Sequence, residues 1–286
     1  MAVYKRSYKG YAGTYTPEWS RFRVLTRYAS RGLFKSKFMT GFFVLCFFPF
    51  LVTASMIYLN HNATILAMFK MGNRTMVDID SSFFSRYLQT QVGFAFILTA
   101  FVGPGLISPD LANNGLVLYF CRPFSRAEYV AGKLLVLATL LSYITWIPGL
   151  VLFVIEGSLS GWNWMVANFY IAVAIVLSSL IMILVLSLLA LALSAWVKWK
   201  PVAGALVLGV LFFGTGFAAA VNGIMRTSEG SLFSIPTLLT IVMRSLFRLD
   251  KFFALPPAQA WVALVVIAAG CLFLLGRKIK AYEVVR

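Results

Sequence analysis

Apolar residues along this chain gather into six long runs separated by polar segments, and the lengths of those runs set the fold. In lipid each backbone N–H and C=O must find a partner inside its own helix, and about 20 apolar residues cover a hydrocarbon core roughly 30 Å thick. Six stretches qualify: 38–59, 88–107, 134–155, 166–195, 201–224 and 258–276. With these boundaries none contains Asp, Glu, Lys, Arg or His. The pattern predicts an all-α polytopic membrane protein with six transmembrane helices. A segment 1–37 precedes the membrane domain at 38–276, and a short tail occupies 277–286. The fourth run is long enough to tilt or to project beyond the bilayer.

Charge settles the expected orientation. Lys and Arg total 25 against 9 acidic residues, a formal net charge of +16, although 60% of the chain is hydrophobic and only 12% charged. Soluble domains carry about twice that charged fraction, and 26 Phe residues exclude a disordered basic nucleic-acid binder, so no nucleic-acid partner is expected. Eighteen of the basic residues flank the spans on the side that holds both termini, and seven lie on the other. By the positive-inside rule both termini are predicted to be cytoplasmic. Trp196 and Trp199 at one end of the fourth span, and Trp162 and Trp164 at the other, suit the two headgroup layers. The first apolar run starts after 37 residues and is a full span long, so no cleavable signal peptide is expected.

The polar segments carry helix-start signals. Thr16-Pro17-Glu18 offers an N-cap, a proline where its missing N–H costs nothing, and an acid favoured by the dipole. The amphipathic helix expected after it presents Phe22, Leu25 and Ala29 at helical spacing, with Trp19, Arg23, Arg27 and Arg31 among its aromatic and basic positions. It reads either as a helix lying in the headgroup layer or as a basic flank that only sets topology. In the second connection Ser108-Pro109-Asp110 repeats the start signal, predicting a short helix that runs through Leu111 to stops at Asn113 and Asn114. Arg122 to Glu128 follows, where Ser125 and Glu128 fit a capping box around Arg126, so the third span's helix should begin outside the membrane. On the opposite side, 235–247 has the pattern of an amphipathic helix dipping into the outer leaflet.

Catalytic chemistry is sparse. One histidine, His61, stands at the end of the first span and reads as an interfacial residue, and three cysteines form no disulfide or metal pattern. Gly132-Lys133 lacks the upstream glycine and the following Ser or Thr of a phosphate-binding loop, so the chain is not expected to be an ATPase. Ala205, Gly209, Gly216 and Ala220 form a stripe of small residues on the fifth span, suited equally to a dimer seam or to packing within one subunit. Phe47, Thr53 and Thr99 are candidates for an apolar translocation path, the bland alternative being lipid and core contact.

The run Ser108-Pro109-Asp110, then Leu118-Tyr119-Phe120-Cys121-Arg122-Pro123-Phe124-Ser125-Arg126-Ala127-Glu128-Tyr129 through Gly132-Lys133, and the tail Ala281-Tyr282-Glu283-Val284-Val285-Arg286, resemble the permease subunits of type-2 ATP-binding-cassette (ABC) exporters. That resemblance implies a multi-pass protein of the bacterial inner membrane, paired with an identical or homologous second permease and driven by two ABC ATPase subunits. ATP and Mg would be bound by those partners, with no cofactor in this chain. It makes 109–114 a coupling helix seated in the ATPase, within a coupling segment 108–133, and 17–35 a connecting helix. A membrane scaffold or sensor moved by an ATPase is the alternative. A self-contained secondary carrier is less well matched, because the spans lack coupling carboxylates and the halves show no inverted repeat.

Overall fold

A computed structural model describes residues 21–34, 36–62, 78–113, 115–116, 125–249 and 255–278. All regular structure among the described residues is helical. Six helices are long and apolar enough to cross a membrane: Lys37–Asn60, Ser81–Ala112, Arg126–Ser160, Phe169–Trp196, Lys200–Met225 and Pro257–Lys278. Every expected span is present, and several run further than the apolar stretches did. The second starts at Ser81, capped by the Asp80 carboxylate, and so includes Arg86. The third continues to Ser160 and takes in Glu156, which is 2% exposed. The uncharged character of the spans therefore holds only for their inner parts, which weakens one ground for setting a coupled carrier aside.

Three of the six are broken in the middle, each for a local reason. α1 (Arg21–Leu33) precedes the first span, which divides into α2 (Lys37–Leu45) and α3 (Phe48–Asn60). Pro49 has no N–H for the helix ladder, and the break leaves the Cys46 carbonyl to accept from Gln91 Nε2 at 3.1 Å. The second span divides at Gly103 into α4 (Ser81–Val102) and α5 (Pro104–Ala112). In the third, Pro148 unpairs the turn between α6 (Arg126–Ile144) and α7 (Trp146–Ser160), and the Thr145 hydroxyl turns back onto the Leu141 carbonyl at 2.7 Å. A short α8 (Trp162–Ala167) leads into α9 (Phe169–Trp196), followed by α10 (Lys200–Met225), a 3-10 turn at Glu229–Phe233, α11 (Ile235–Leu246) and α12 (Pro257–Lys278).

α9 is the axis of the molecule. It packs against α4, α5, α6, α7, α10, α11 and α12, and 67% of its most apolar stretch is buried, against 11% for the first span. Lipid tails are as apolar as leucine, so close packing rather than hydrophobicity must hold helices together here. Small residues supply it: a Cβ at Gly103 would fall 2.6 Å from the Ala190 Cβ, and one at Gly149 would fall 2.9 Å from the Ile175 Cγ2. The amphipathic α11 buries Leu238, Leu239, Ile241, Val242 and Met243 against its neighbours. Its apolar face is thus turned into the protein, and the dip into the leaflet becomes a dock on α9 and α12.

Candidate functional site

Where the expected start signal stood, the chain is already helical. α5 begins at Pro104, with Gly103 before it, and Pro109 lies inside the helix. Ser108 is not an N-cap. It is fully buried, and Ser194 of α9 is buried beside it. The Ser108 amide donates to Ser194 Oγ at 3.0 Å, the Ser194 hydroxyl reaches the Pro104 carbonyl at 3.3 Å, and Ser108 Oγ donates to the Ser194 carbonyl at 3.1 Å. The motif misled because the Ser108 hydroxyl is taken up by a tertiary contact with Ser194 rather than by a cap. The helix end was better foreseen: α5 stops at Ala112 with Asn113 as its exposed C-cap, and Asn114 lies outside the described residues.

Two residues beyond Ser108 the same helix presents Asp110 to α6. Its Oδ2 accepts from the Tyr129 hydroxyl at 2.7 Å and lies 2.8 Å from Lys133 Nζ. Lys133 is 7% exposed and its ammonium also stands 5.4 Å from the centre of the Tyr129 ring. The capping box that opens α6 is complete: the Ser125 amide donates to Glu128 Oε2 at 2.7 Å and the Glu128 amide to Ser125 Oγ at 3.2 Å. Arg126 is exposed on the first turn, and Arg122 is not among the described residues. α1 packs along α6, where the Thr26 hydroxyl donates to the Gly132 carbonyl at 3.1 Å. Arg27 of α1 is exposed, Trp19 lies outside the described residues, and of Arg23 and Arg31 only the helical backbone is described. α1, α5 and the start of α6 therefore form one cluster at the basic end. Lys278 of α12, standing 5.2 Å from the Trp196 ring centre, marks the same end.

Within the span region, two adjoining apolar hollows of about 500 Å³ each flank α4. The first lies between α3 and α4, with Pro49, Thr53, Met56 and Tyr87 in its wall; the second lies between α4 and α10, with Gly93, Ile97, Leu208 and Thr215. Thr90 and Phe94 line both, so the two make one groove along the open side of α4. The three path candidates are not brought together there. Thr53 is in the wall, Phe47 packs edge-on to Phe43 within α2–α3, and Thr99 is fully buried behind the groove. On α10 the small stripe faces outward, with Ala205, Gly216 and Ala220 exposed and Gly209 half-buried. The close internal contacts of that helix are made by Gly204 on the Ala100 carbonyl and Gly214 on the Phe233 carbonyl instead.

Sequence reasoning passed over Tyr129, Lys133, Gln91 and Ser194 as site residues. Lys133 was available as the one cation a full turn inside a capped helix, since so deep a charge demands a partner. Gln91 and Ser194 gave no local signal, because each acts on a backbone group of another helix. Among the described residues no group of three or more His, Cys, Asp or Glu comes together as a metal site. Neither family models nor curated proteins match this chain.

Proposed function

We propose that this chain is the membrane-spanning permease subunit of an ATP-driven ABC transporter that exports an amphiphilic or apolar substrate. The observation that carries this reading is the cluster at the basic end. There α5 continues the second span beyond the apolar body, its Asp110 is tied to Tyr129 and Lys133 of α6, and α1 lies on the same helix. Such an arrangement performs no chemistry of its own. It suits the transmission of a push from a bound partner into the spans.

In this reading the basic end faces the cytoplasm, and α5 with Asn113 seats in one of two ATPase subunits that bind ATP and Mg. Closure of the ATPase dimer displaces α5. The Asp110–Lys133 pair passes that motion to α6, and the Ser108–Ser194 contacts pass it to α9. The apolar groove beside α4 is open to receive cargo, and the outward stripe on α10 is available to a second permease chain. A wall that is mostly apolar and aromatic, with Arg86 as the charged group in its lining, favours amphiphilic molecules over bare cations.

Purification of the chain from its native membrane in mild detergent, with mass spectrometry of what stays bound, tests the reading. A soluble subunit with a phosphate-binding loop, in about one-to-one ratio to permease chains, is the expected result. Repeated recovery of folded chain without any ATPase defeats it and brings the scaffold reading forward.

A further inference from the structure

At the end of the molecule away from the basic cluster, the first and third spans meet through three polar side chains. His61 caps the C-terminus of α3, while Glu156 and Ser160 stand one turn apart at the end of α7. The imidazole Nδ1 lies 3.1 Å from the Ile57 carbonyl oxygen, and Nε2 lies 3.1 Å from Ser160 Oγ and 3.6 Å from Glu156 Oε1. Ser160 Oγ is in turn 2.5 Å from that same Oε1. The glutamate side chain is 3% exposed and the histidine 26% exposed. The second carboxyl oxygen, Oε2, is buried without a hydrogen-bond partner among the described residues.

Counting hydrogens in this chain of groups fixes what it holds. A carbonyl oxygen only accepts, so Nδ1 carries a hydrogen whatever the charge of the ring. Ser160 has a single O–H and two neighbours able to accept it, Nε2 and Oε1. If the ring is neutral and Glu156 ionised, one of the two goes without, and a buried negative charge is left unpaired. One added proton removes the conflict in either of two ways. In one, the carboxyl O–H donates to Ser160 Oγ and the serine O–H to Nε2. In the other, Nε2–H donates to Ser160 Oγ and the serine O–H to Oε1. The two interconvert when the carboxyl hydrogen moves onto Ser160 Oγ as the serine hydrogen moves onto Nε2. No atom is gained or lost, and the net charge is zero in both.

We propose that Glu156, Ser160 and His61 form a proton-binding site that joins the end of the first membrane helix to the end of the third. Its ligand is one proton, taken from water through the part-exposed imidazole and shared over the carboxyl, hydroxyl and ring. With the proton bound, α3 and α7 are linked by a continuous hydrogen-bonded chain. Loss of the proton as pH rises leaves a lone buried carboxylate and loosens the link, and α3 is one wall of the groove beside α4.

Among the described residues, the remaining charged groups on the elements around this site are Asp78 and Asp80 ahead of α4 and Arg86 in its second turn. The other titratable groups there are Tyr58 on α3, Tyr87 on α4 and Tyr170 on α9, the last covered by the Arg248 guanidinium at 4.9 Å. α6 carries its charges at the opposite end, and α8 and α9 have none. The site does not depend on the transport reading.

The chain has a single histidine, so nitrogen-15 histidine NMR of the full chain in lipid nanodiscs follows one imidazole without ambiguity. Infrared difference spectroscopy follows the buried carboxyl, identified as the band lost in Glu156→Gln. Linkage requires the coupling to be reciprocal. Glu156→Gln is expected to lower the proton affinity of the ring at least tenfold, and His61→Gln to raise that of the carboxyl by the same factor. The neutral ring should be the tautomer with hydrogen on Nδ1. Identical titration of the imidazole with and without the Glu156 carboxylate overturns the proposal. Should Glu156→Gln fail to fold, His61→Gln alters only a part-exposed cap position, and an unmoved carboxyl titration in that variant overturns it equally.

Discussion

Asp110→Ala is the perturbation that most directly probes the basic-end cluster. It removes the acceptor for the Tyr129 hydroxyl at 2.7 Å and the counter-ion of Lys133 at 2.8 Å. Taking one partner from a buried ion pair costs about 3–5 kcal/mol, because the remaining charge is left uncompensated. Lys133 is 7% exposed and fits that description, but Asp110 is 21% exposed and already partly hydrated. The low end applies, about 3 kcal/mol, with the lost Tyr129 bond contained in it rather than added. Asp110→Asn keeps an acceptor for Tyr129 without the charge, and should cost less than the alanine variant. Removing the stranded cation as well, in Asp110→Ala with Lys133→Met, should restore part of the loss, giving a coupling energy of at least about 1.5 kcal/mol. Reversible unfolding in mixed micelles of mild detergent and dodecyl sulfate, followed by tryptophan fluorescence, measures all four corners of that cycle. A cost for Asp110→Ala below about 0.5 kcal/mol, in the range of exposed pairs, or strictly additive single variants, would show that the pair is solvated and transmits nothing.

Other parts of the structure make equally direct predictions. Ser194→Ala removes a buried hydroxyl that accepts from the Ser108 amide and donates to the Pro104 carbonyl; a loss of about 1 kcal/mol is expected in the same unfolding assay, and a neutral result would mean that this contact does not hold α5 to α9. Gly103→Val forces a side chain onto Ala190, which a Cβ would approach to 2.6 Å; about 1–3 kcal/mol of destabilisation and a lower melting point on size-exclusion thermostability should follow. Asp80→Ala removes the cap of α4, at about 1 kcal/mol. Burial raises the Asp80 carboxyl, but hydrogen bonds from the Ser82 hydroxyl and from the Phe83 and Ser82 amides lower it further, so it lies below its ordinary value. Its contribution is thus complete above the usual carboxylate range and disappears as pH falls through the lowered value. The wild-type minus Asp80→Ala difference should shrink in acid, and a difference that grew there would reverse the sign of the argument.

How far the molecule was legible from its residues depends on the range of the interaction concerned. Six spans, the capped start of α6 at Ser125–Glu128 and the amphipathic α11 follow from hydropathy and near-neighbour hydrogen bonding, which a linear pattern records directly. Even the break in the first span was marked by Pro49. Ser108-Pro109-Asp110 looked like a beginning but lies within a helix, because Ser194, 86 positions away, takes the amide the motif seemed to leave free. The extents of the charged turns were also hidden: Glu156 falls outside any apolar window, yet the helix carries it on into the packed interior.

Backbone satisfaction in lipid leaves one answer for each apolar run, so the number and approximate positions of the spans were settled along the chain. Which polar groups meet was decided only when the helices packed. Asp110 with Lys133, Gln91 with the Cys46 carbonyl and His61 with Glu156 are joined across different helices. Their pairing depends on helix rotation and depth, which small residues such as Gly103 and Gly149 set through close contact and which no local pattern encodes.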